Sequence, residues 1–292
     1  MKHLLIALLM PAALHAAETA SFLNVGAGAR AQGLGGAYSA LADDSSSLYW
    51  NPAGMARLEK KEASASHAEL FEGTRHDYLV YAHPTQAGVL GAALTYLSQN
   101  KIEGRDASGR TTGGYEASDS AFSFGYGRRT NVADVGLTAK YIRSHIGSAE
   151  AQTIAIDLGA RKEFGAVLVG AAIRNMGPGL KYEGERNDLP LRLALGAAYK
   201  FSAGHAVSAE LTNGPRGAGT EAGFGGEYQA VKNIFLRAGY TTRTVAGGSG
   251  FDAAKGLSLG VGLRNERFSL DYAVLPMGEL GSSHRFSLAW RW

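Results

Sequence analysis

At 292 residues, with 45% hydrophobic and 19% charged side chains, 40 glycines and only 7 prolines, the chain disfavours a helical protein, because glycine costs a helix about 1 kcal/mol per site. A formal net charge of +3, scattered along the chain, is too small to point to nucleic acid. The absence of cysteine excludes disulfides, thiolate catalysis and thiolate metal sites, and leaves an oxidising compartment open.

Residues 1–16 read as an export signal. Lys2 and His3 form a basic start, Leu4–Met10 is uninterrupted apolar sequence, and Leu14-His15-Ala16 offers a small residue for cleavage. The apolar run falls short of the ~20 residues a spanning helix needs, and no later run approaches that length. An exported chain without a membrane helix is expected.

Residues 17–58 follow no alternating pattern. Gly26, Gly28, Gly33, Gly35, Gly36 and Gly54 joint a run of small residues that ends in Tyr49-Trp50-Asn51-Pro52-Ala53. The glycines at 33–36 lack the preceding strand and the lysine of a phosphate loop, so turns and close packing are expected there. Asp43-Asp44-Ser45-Ser46 lacks calcium-loop spacing; an Asp or Ser is expected to cap a short helix through Tyr49. Asn51, preceding proline, is pushed out of the helical region and stops that helix. Two readings of Asn51-Pro52-Ala53-Gly54 stay open, a plain helix stop and a gate.

Residues 59–292 alternate with period 2. In Leu189–Phe201 the odd positions Leu189, Leu191, Leu193, Leu195, Ala197, Tyr199 and Phe201 oppose Arg192, Gly196 and Lys200. Leu257–Leu263, Phe268–Val274 and Phe286–Trp292 repeat the pattern, and weaker versions between residues 62 and 242 bring the expected strands to about 14. Short links at 83–88, 128–131, 163–166, 201–204, 229–233 and 264–267 alternate with others, of which 98–116, 175–188 and 243–255 are long. Loops sorted by parity suit an up-and-down barrel with short turns at one rim. A Greek-key sandwich does not sort them so. Tyr199, Phe201, Tyr228, Tyr240 and Trp290 fall near strand ends, where a bilayer interface favours amphipathic rings.

The fold expected is therefore all-β, an up-and-down antiparallel transmembrane barrel in an outer membrane, with residues 17–58 as a plug in its lumen. With apolar faces toward lipid, the lumen receives Lys140, Asp157, Arg161, Arg192, Lys200, Glu210, Glu227, Arg237, Arg264, Arg267, Asp271, Arg285 and Arg291. Both signs are present, so a pairing network centred on Asp157, Arg161, Arg192, Glu210, Glu227, Arg237, Asp271 and Arg285 is expected rather than a one-signed pore. Eight strands enclose only side chains and sixteen or more leave a channel, so about fourteen leave a hole to fill. The dispersed histidines show no metal-ligand spacing, and no nucleophile elbow or Ser/His/Asp set appears. Enzymatic activity, metals and cofactors are not expected.

The string from Gly26 to Ala56, GAGARAQGLGGAYSALADDSSSLYWNPAGMA, resembles the N-terminal segment of the PorV/PorQ family of outer-membrane proteins, related in fold to the FadL long-chain fatty-acid transporters. Asn51-Pro52-Ala53 matches a motif of the wider group, and Arg174–Pro178, Asp188–Leu191 and the aromatic C-terminus extend the likeness. The resemblance implies a barrel of a diderm bacterium's outer membrane, contacting its lipid and binding or passing hydrophobic small molecules, with Gly33, Gly35, Gly36, Trp50, Asn51, Pro52 and Ala53 as the gating part of the plug. It also implies a lateral wall gap, for which Gly88 and Gly91 offer a kink in the third strand, and a C-terminal strand read by the barrel assembly machinery. The alternative it implies is a type IX secretion component that serves secretion-system proteins as a cargo shuttle or interaction platform.

Overall fold

The computed structural model describes residues 18–100, 102–182, 184–202, 204–242 and 256–292. The export signal and the link 243–255 lie outside the described residues. The strands in chain order are β1 (Glu62–Glu69), β2 (Arg75–Thr85), β3 (Gly88–Ser98), β4 (Ile102–Arg105), β5 (Thr111–Tyr115), β6 (Ala117–Arg129), β7 (Asp134–Ile146), β8 (Ala149–Phe164) and β9 (Val167–Met176). They continue as β10 (Leu180–Tyr182), β11 (Glu185–Asn187), β12 (Arg192–Ser202), β13 (His205–Gly214), β14 (Gly219–Val231), β15 (Ile234–Thr241), β16 (Leu257–Arg264), β17 (Phe268–Pro276) and β18 (Ser282–Arg291). Among the described residues, fourteen of them close into one antiparallel barrel, as the alternation predicts. The remaining four form two small hairpins, β4–β5 and β10–β11, inside the links expected to be long.

The barrel closes where β1 pairs with β18. Lys61 and Trp292 exchange backbone hydrogen bonds of 3.1 Å beyond the last pair, so the aromatic C-terminus finishes the seam. With each of the fourteen barrel strands paired on both sides, the barrel has no open edge, which is the condition for crossing a hydrocarbon layer with strands.

The two faces of the wall are inverted relative to a water-soluble sandwich. On β12, Leu195 is 64% exposed while Ala194 and Ala198 are buried, and the pattern repeats around the ring with Leu79, Leu90, Phe124, Ile154, Leu211 and Leu259 outward. Large apolar residues stand exposed on every barrel strand except β1, an outward display that soluble monomers rarely show. Phe164, Phe201, Tyr228, Phe268, Trp290 and Trp292 stand exposed beside the rim of short turns, the placement of an interfacial aromatic girdle. Those turns bend tightly: Gly165 and Asn233 take left-handed φ of 62° and 70°, the conformation that two-residue hairpins require.

The wall departs from expectation in three places. The strand expected from Leu189 begins only at Arg192, and Leu189 is fully buried against Phe22, Leu23 and Leu180. The cause lies in β9, where Asn175 adopts φ 62° and the register against β8 shifts between Ile156 and Leu158. The link after Met176 thereby turns its apolar side chains toward the buried face. Arg267 sits exposed in the turn between β16 and β17 rather than in the lumen. Finally, β3 carries no kink at Gly88 or Gly91; it pairs without a register shift with both neighbours. Gly91 instead makes room for Met55 and Leu48, since a Cβ there would lie 2.8 Å from the Met55 sulfur.

Candidate functional site

Nearly all of the segment from Ala20 to Ala56 is buried, although it contains little regular structure. Two short helices, α1 (Ala29–Gly33) and α2 (Ser47–Trp50), and 3-10 turns at Ser21–Asn24 and Pro52–Arg57 carry it. One half, around α1, packs on β15 to β18; the other, around Pro52–Arg57, packs on β3 and β6 to β8. Its partners on those strands are the inward residues, small or charged, so segment and wall share one core.

Charge holds the first half. Arg30 donates two hydrogen bonds to Glu227, of 2.9 and 3.0 Å, and others to the Tyr38 hydroxyl at 2.7 Å and Asp43 at 2.6 Å. Glu227 also accepts from Arg237 at 2.7 Å, and Arg237 donates to Asp271 at 2.7 Å. Burial alone pushes the Asp43 carboxyl up, but the Arg30 guanidinium, helped by Lys200 and Arg264, outweighs it and holds the group well below the usual carboxylate range. Parallel hydrogen bonds between a planar guanidinium and a carboxylate add geometric specificity to the attraction. Arg30 is the hub, and alternation had no means of selecting it because it lies outside the strands.

Close backbone approach holds the second half, together with Arg57, which donates to Asp134 on β7 at 2.5 Å. The Asn51 side chain donates to the carbonyls of Ser39 at 2.8 Å and of Ala160 on β8 at 3.1 Å, and accepts from Ala53 N at 3.1 Å. At φ −158° and ψ 103°, Asn51 ends α2 as the following proline demands. Inward glycines receive it: a Cβ on Gly136 would land on the Pro52 and Ala53 backbone, and one on Gly159 on the Asn51 side chain. The expected cap of α2 differs in detail. Ser46, at the N-cap, makes no side-chain cap bond; Asp44 instead accepts from Ser46 N at 3.0 Å.

The expected charge network is only partly internal to the wall. Glu227, Arg237 and Asp271 pair with one another, and Asp157 pairs with Lys140 at 2.6 Å and accepts from Asn175 N. The others reach the segment. Arg161 donates to Ala40 O at 2.8 Å, Arg192 to Glu18, and Arg285 to Val25 O and Gly26 O, while Glu210 accepts from Tyr38 N and Ser39 N. Unpaired segment amides and carbonyls are costly when buried, which is why wall charges turn to them. Glu62 joins this set unforeseen, accepting from Ser45 N at 2.8 Å and from Arg291 at 2.6 Å.

Between the segment and the rim of the longer links lies a cavity of about 620 Å³. Phe22, Val25, Gln32 and Trp50 line it from the segment, Leu97 and Ile146 from the wall, and Phe71 and Met277 from the links. Of the seven candidate gating residues, Gly35, Gly36 and Trp50 border this cavity; Gly33, Asn51, Pro52 and Ala53 do not. Gly33 packs on Gly260 and Ala273 instead. Trp50 is held by its indole N–H to Ala27 O at 2.8 Å and by edge contacts with Tyr38 and Tyr49. The size and mixed lining suit a small organic ligand with an apolar body.

A closed fourteen-strand barrel with an apolar exterior, a charged interior and a buried N-terminal segment is a fold shared with solved proteins. The Pseudomonas putida toluene transporter TodX shares the fold at 13% identity and a TM-score of 0.66, covering 91% of this chain and 98% of that one. A Pseudomonas aeruginosa FadL homologue does so at 12% identity and 0.57, covering 87% and 95%. By sequence, residues 14–189 match UPF0164, described as an uncharacterised protein family, and the chain belongs to that family. No curated protein matches it significantly.

Proposed function

We propose that the protein is an outer-membrane barrel of the FadL-like group that binds hydrophobic small molecules or passes them across the membrane, without catalysing a reaction. The observation that carries this reading is the 620 Å³ cavity enclosed by the wall and floored by the segment. The apolar outer band supports the membrane setting, since only lipid covers such a surface at no cost. In this reading residues 17–58 are the plug, and Trp50, Gly35 and Gly36 form its ligand-facing surface. The test is flux of toluene and of a fatty acid into liposomes carrying the barrel. Wild type is expected to conduct or bind at least one, and a chain lacking Phe22–Ala56 to lose selectivity; identical behaviour of the two removes the plug reading.

The resemblance of Gly26–Ala56 to the PorV/PorQ group supports a second reading, an interaction platform in type IX secretion. Its test is affinity capture from outer-membrane extracts. Recovery of secretion components with the barrel favours it, and recovery of the barrel alone counts against it.

A further inference from the structure

Among the fourteen barrel strands β1 carries no large apolar side chain; its outward positions are Ala63, Ala65, His67 and Glu69. Over Ala63 and Ala65 the outer surface is hollowed into a cleft of about 570 Å³, walled by Leu79 and Tyr81 of β2 and by Leu288 and Trp290 of β18. Farther along the same two strands, β1 and β2, His67 Nδ1 lies 2.7 Å from Asp77 Oδ1. Both side chains stay close to half exposed, at 46% and 45%. Their height is what matters. Ala63 pairs with Trp290 of the aromatic girdle, while His67 pairs with the outward Phe286 and Asp77 with Tyr96. From Ala63 to His67 a strand tilted by ~40° rises about 10 Å, which is well inside an apolar band ~25 Å tall.

Lipid chains offer such a pair no hydrogen-bond partner, and ionisable side chains at this depth ordinarily face protein. Acyl chains would fill the cleft and leave the pair unmet. A second copy of the same face answers both needs. On β1 stand the base His67 and the acid Glu69; opposite them on β2 stand the acid Asp77 and the base Arg75. Likewise the small Ala63 and Ala65 oppose the large Tyr81 and Leu79. A two-fold axis exchanges the two strands, so what one lacks the other supplies. Set along the membrane normal at the row of His67 and Asp77, it turns each His67 toward the partner's Asp77. The projecting side chains of one copy then reach the cleft of the other. With acids and bases in equal number, the face does not repel its own copy.

We propose that this face, centred on β1 and β2, is the interface of a homodimer within the membrane. His67 and Asp77 of the two copies join across the axis, and each copy fills the other's cleft over Ala63 and Ala65. The interface asks nothing of the cavity and rests only on the membrane setting of the barrel.

Because the chain has no cysteine, a single introduced thiol reports without background. Ala65→Cys on this face and Leu195→Cys on β12, half way round the ring, are compared in the full barrel. It is reconstituted in phosphatidylethanolamine–phosphatidylglycerol vesicles at high lipid excess and treated with a short bis-maleimide. Ala65→Cys is expected to give at least fivefold more crosslinked dimer than Leu195→Cys. His67→Asp and Asp77→His, each added to Ala65→Cys, are expected to lose about fivefold of that dimer alone. Mixed together they should regain it, since each acid of one copy then meets an imidazole of the other. A merely structural role of the pair gives no rescue on mixing, and heat-modifiable gel migration checks that each variant is folded. Equal dimer from the two thiols overturns the proposal, and this comparison decides by itself if either charge variant misassembles. Dimer unchanged in the folded single variants, or no recovery in their mixture, overturns it as well. Monomers that retain a phospholipid in native mass spectrometry, with no crosslinked dimer, assign the cleft to lipid and overturn it too.

Discussion

The two halves of the N-terminal segment meet the wall with different balances of charge and backbone contact. Around α1 the contact is a buried ionic web of Arg30, Glu227, Arg237 and Asp271, with Asp43 attached to its edge. Around Pro52–Arg57 backbone lies directly on strands whose inward positions are glycine, with Asn51 tying it to β8. An ionic contact is undone by changing one charge, because the partners are then buried without compensation. A contact made by the absence of side chains is undone only by adding one. The second half has one such charge, Arg57 on Asp134 and Glu163, beside its glycines; the first half, centred on Arg30, is therefore the more releasable one, and the cavity lies where the segment meets the longer links.

Four measurements break or sharpen that contrast. Arg30→Ala leaves Glu227 and Asp43 short of a cation and is expected to destabilise the docked segment by about 3–5 kcal/mol. The urea transition of Trp50 fluorescence, read in a chain with Trp290 and Trp292 replaced by Phe, reports it, and proteolysis should open residues 20–45 before 52–57. Opening of both halves together would erase the distinction. Gly136→Val pushes against the Pro52 and Ala53 backbone and should cost about 1–3 kcal/mol, with the reverse order of proteolysis.

Asn51→Ala strips the Ser39 and Ala160 carbonyls of their side-chain donor and is expected to cost about 1–2 kcal/mol. Toluene or fatty-acid flux should follow that loss if Asn51 acts as a fastener; altered flux at unchanged stability would mark it as a gate. The mildest effect concerns acid. Asp43 has a depressed folded pKa, so its contribution is fully present above the unfolded value of about 4 and fades as pH falls toward the folded one. Proteolysis of residues 20–45 should be flat from about pH 7 to 5 and rise below about 4. A rise between 7 and 5 would assign the release to another group.

Much of the wall is legible in the sequence. Period-2 alternation locates the strands because an apolar outer face and a polar, packed inner face act on alternate residues of each strand. Loop parity orders them, because up-and-down strands have nowhere else to turn. Where a second constraint acts, the pattern misleads. Leu189 has the right parity for the outer face, yet at the Asn175 bulge β9 stops pairing with β12 after Arg174, and Leu189 is buried in the cluster of Phe22. Gly91 looks like a hinge and is a receptacle for Met55.

The candidate site was less legible. Trp50, Gly35 and Gly36 were within reach because a glycine-jointed run ending in aromatics stands apart from everything after it. Arg30 and Glu62 were not, since each owes its role to a partner far away in the chain: Glu227 and Arg291. Local pattern thus determined a strand-built cylinder with its greasy side outward, because that information repeats every two residues. Which charges meet Arg30 and which wall carbonyl Asn51 grips were decided only by closure of the ring, which brings together residues more than a hundred positions apart.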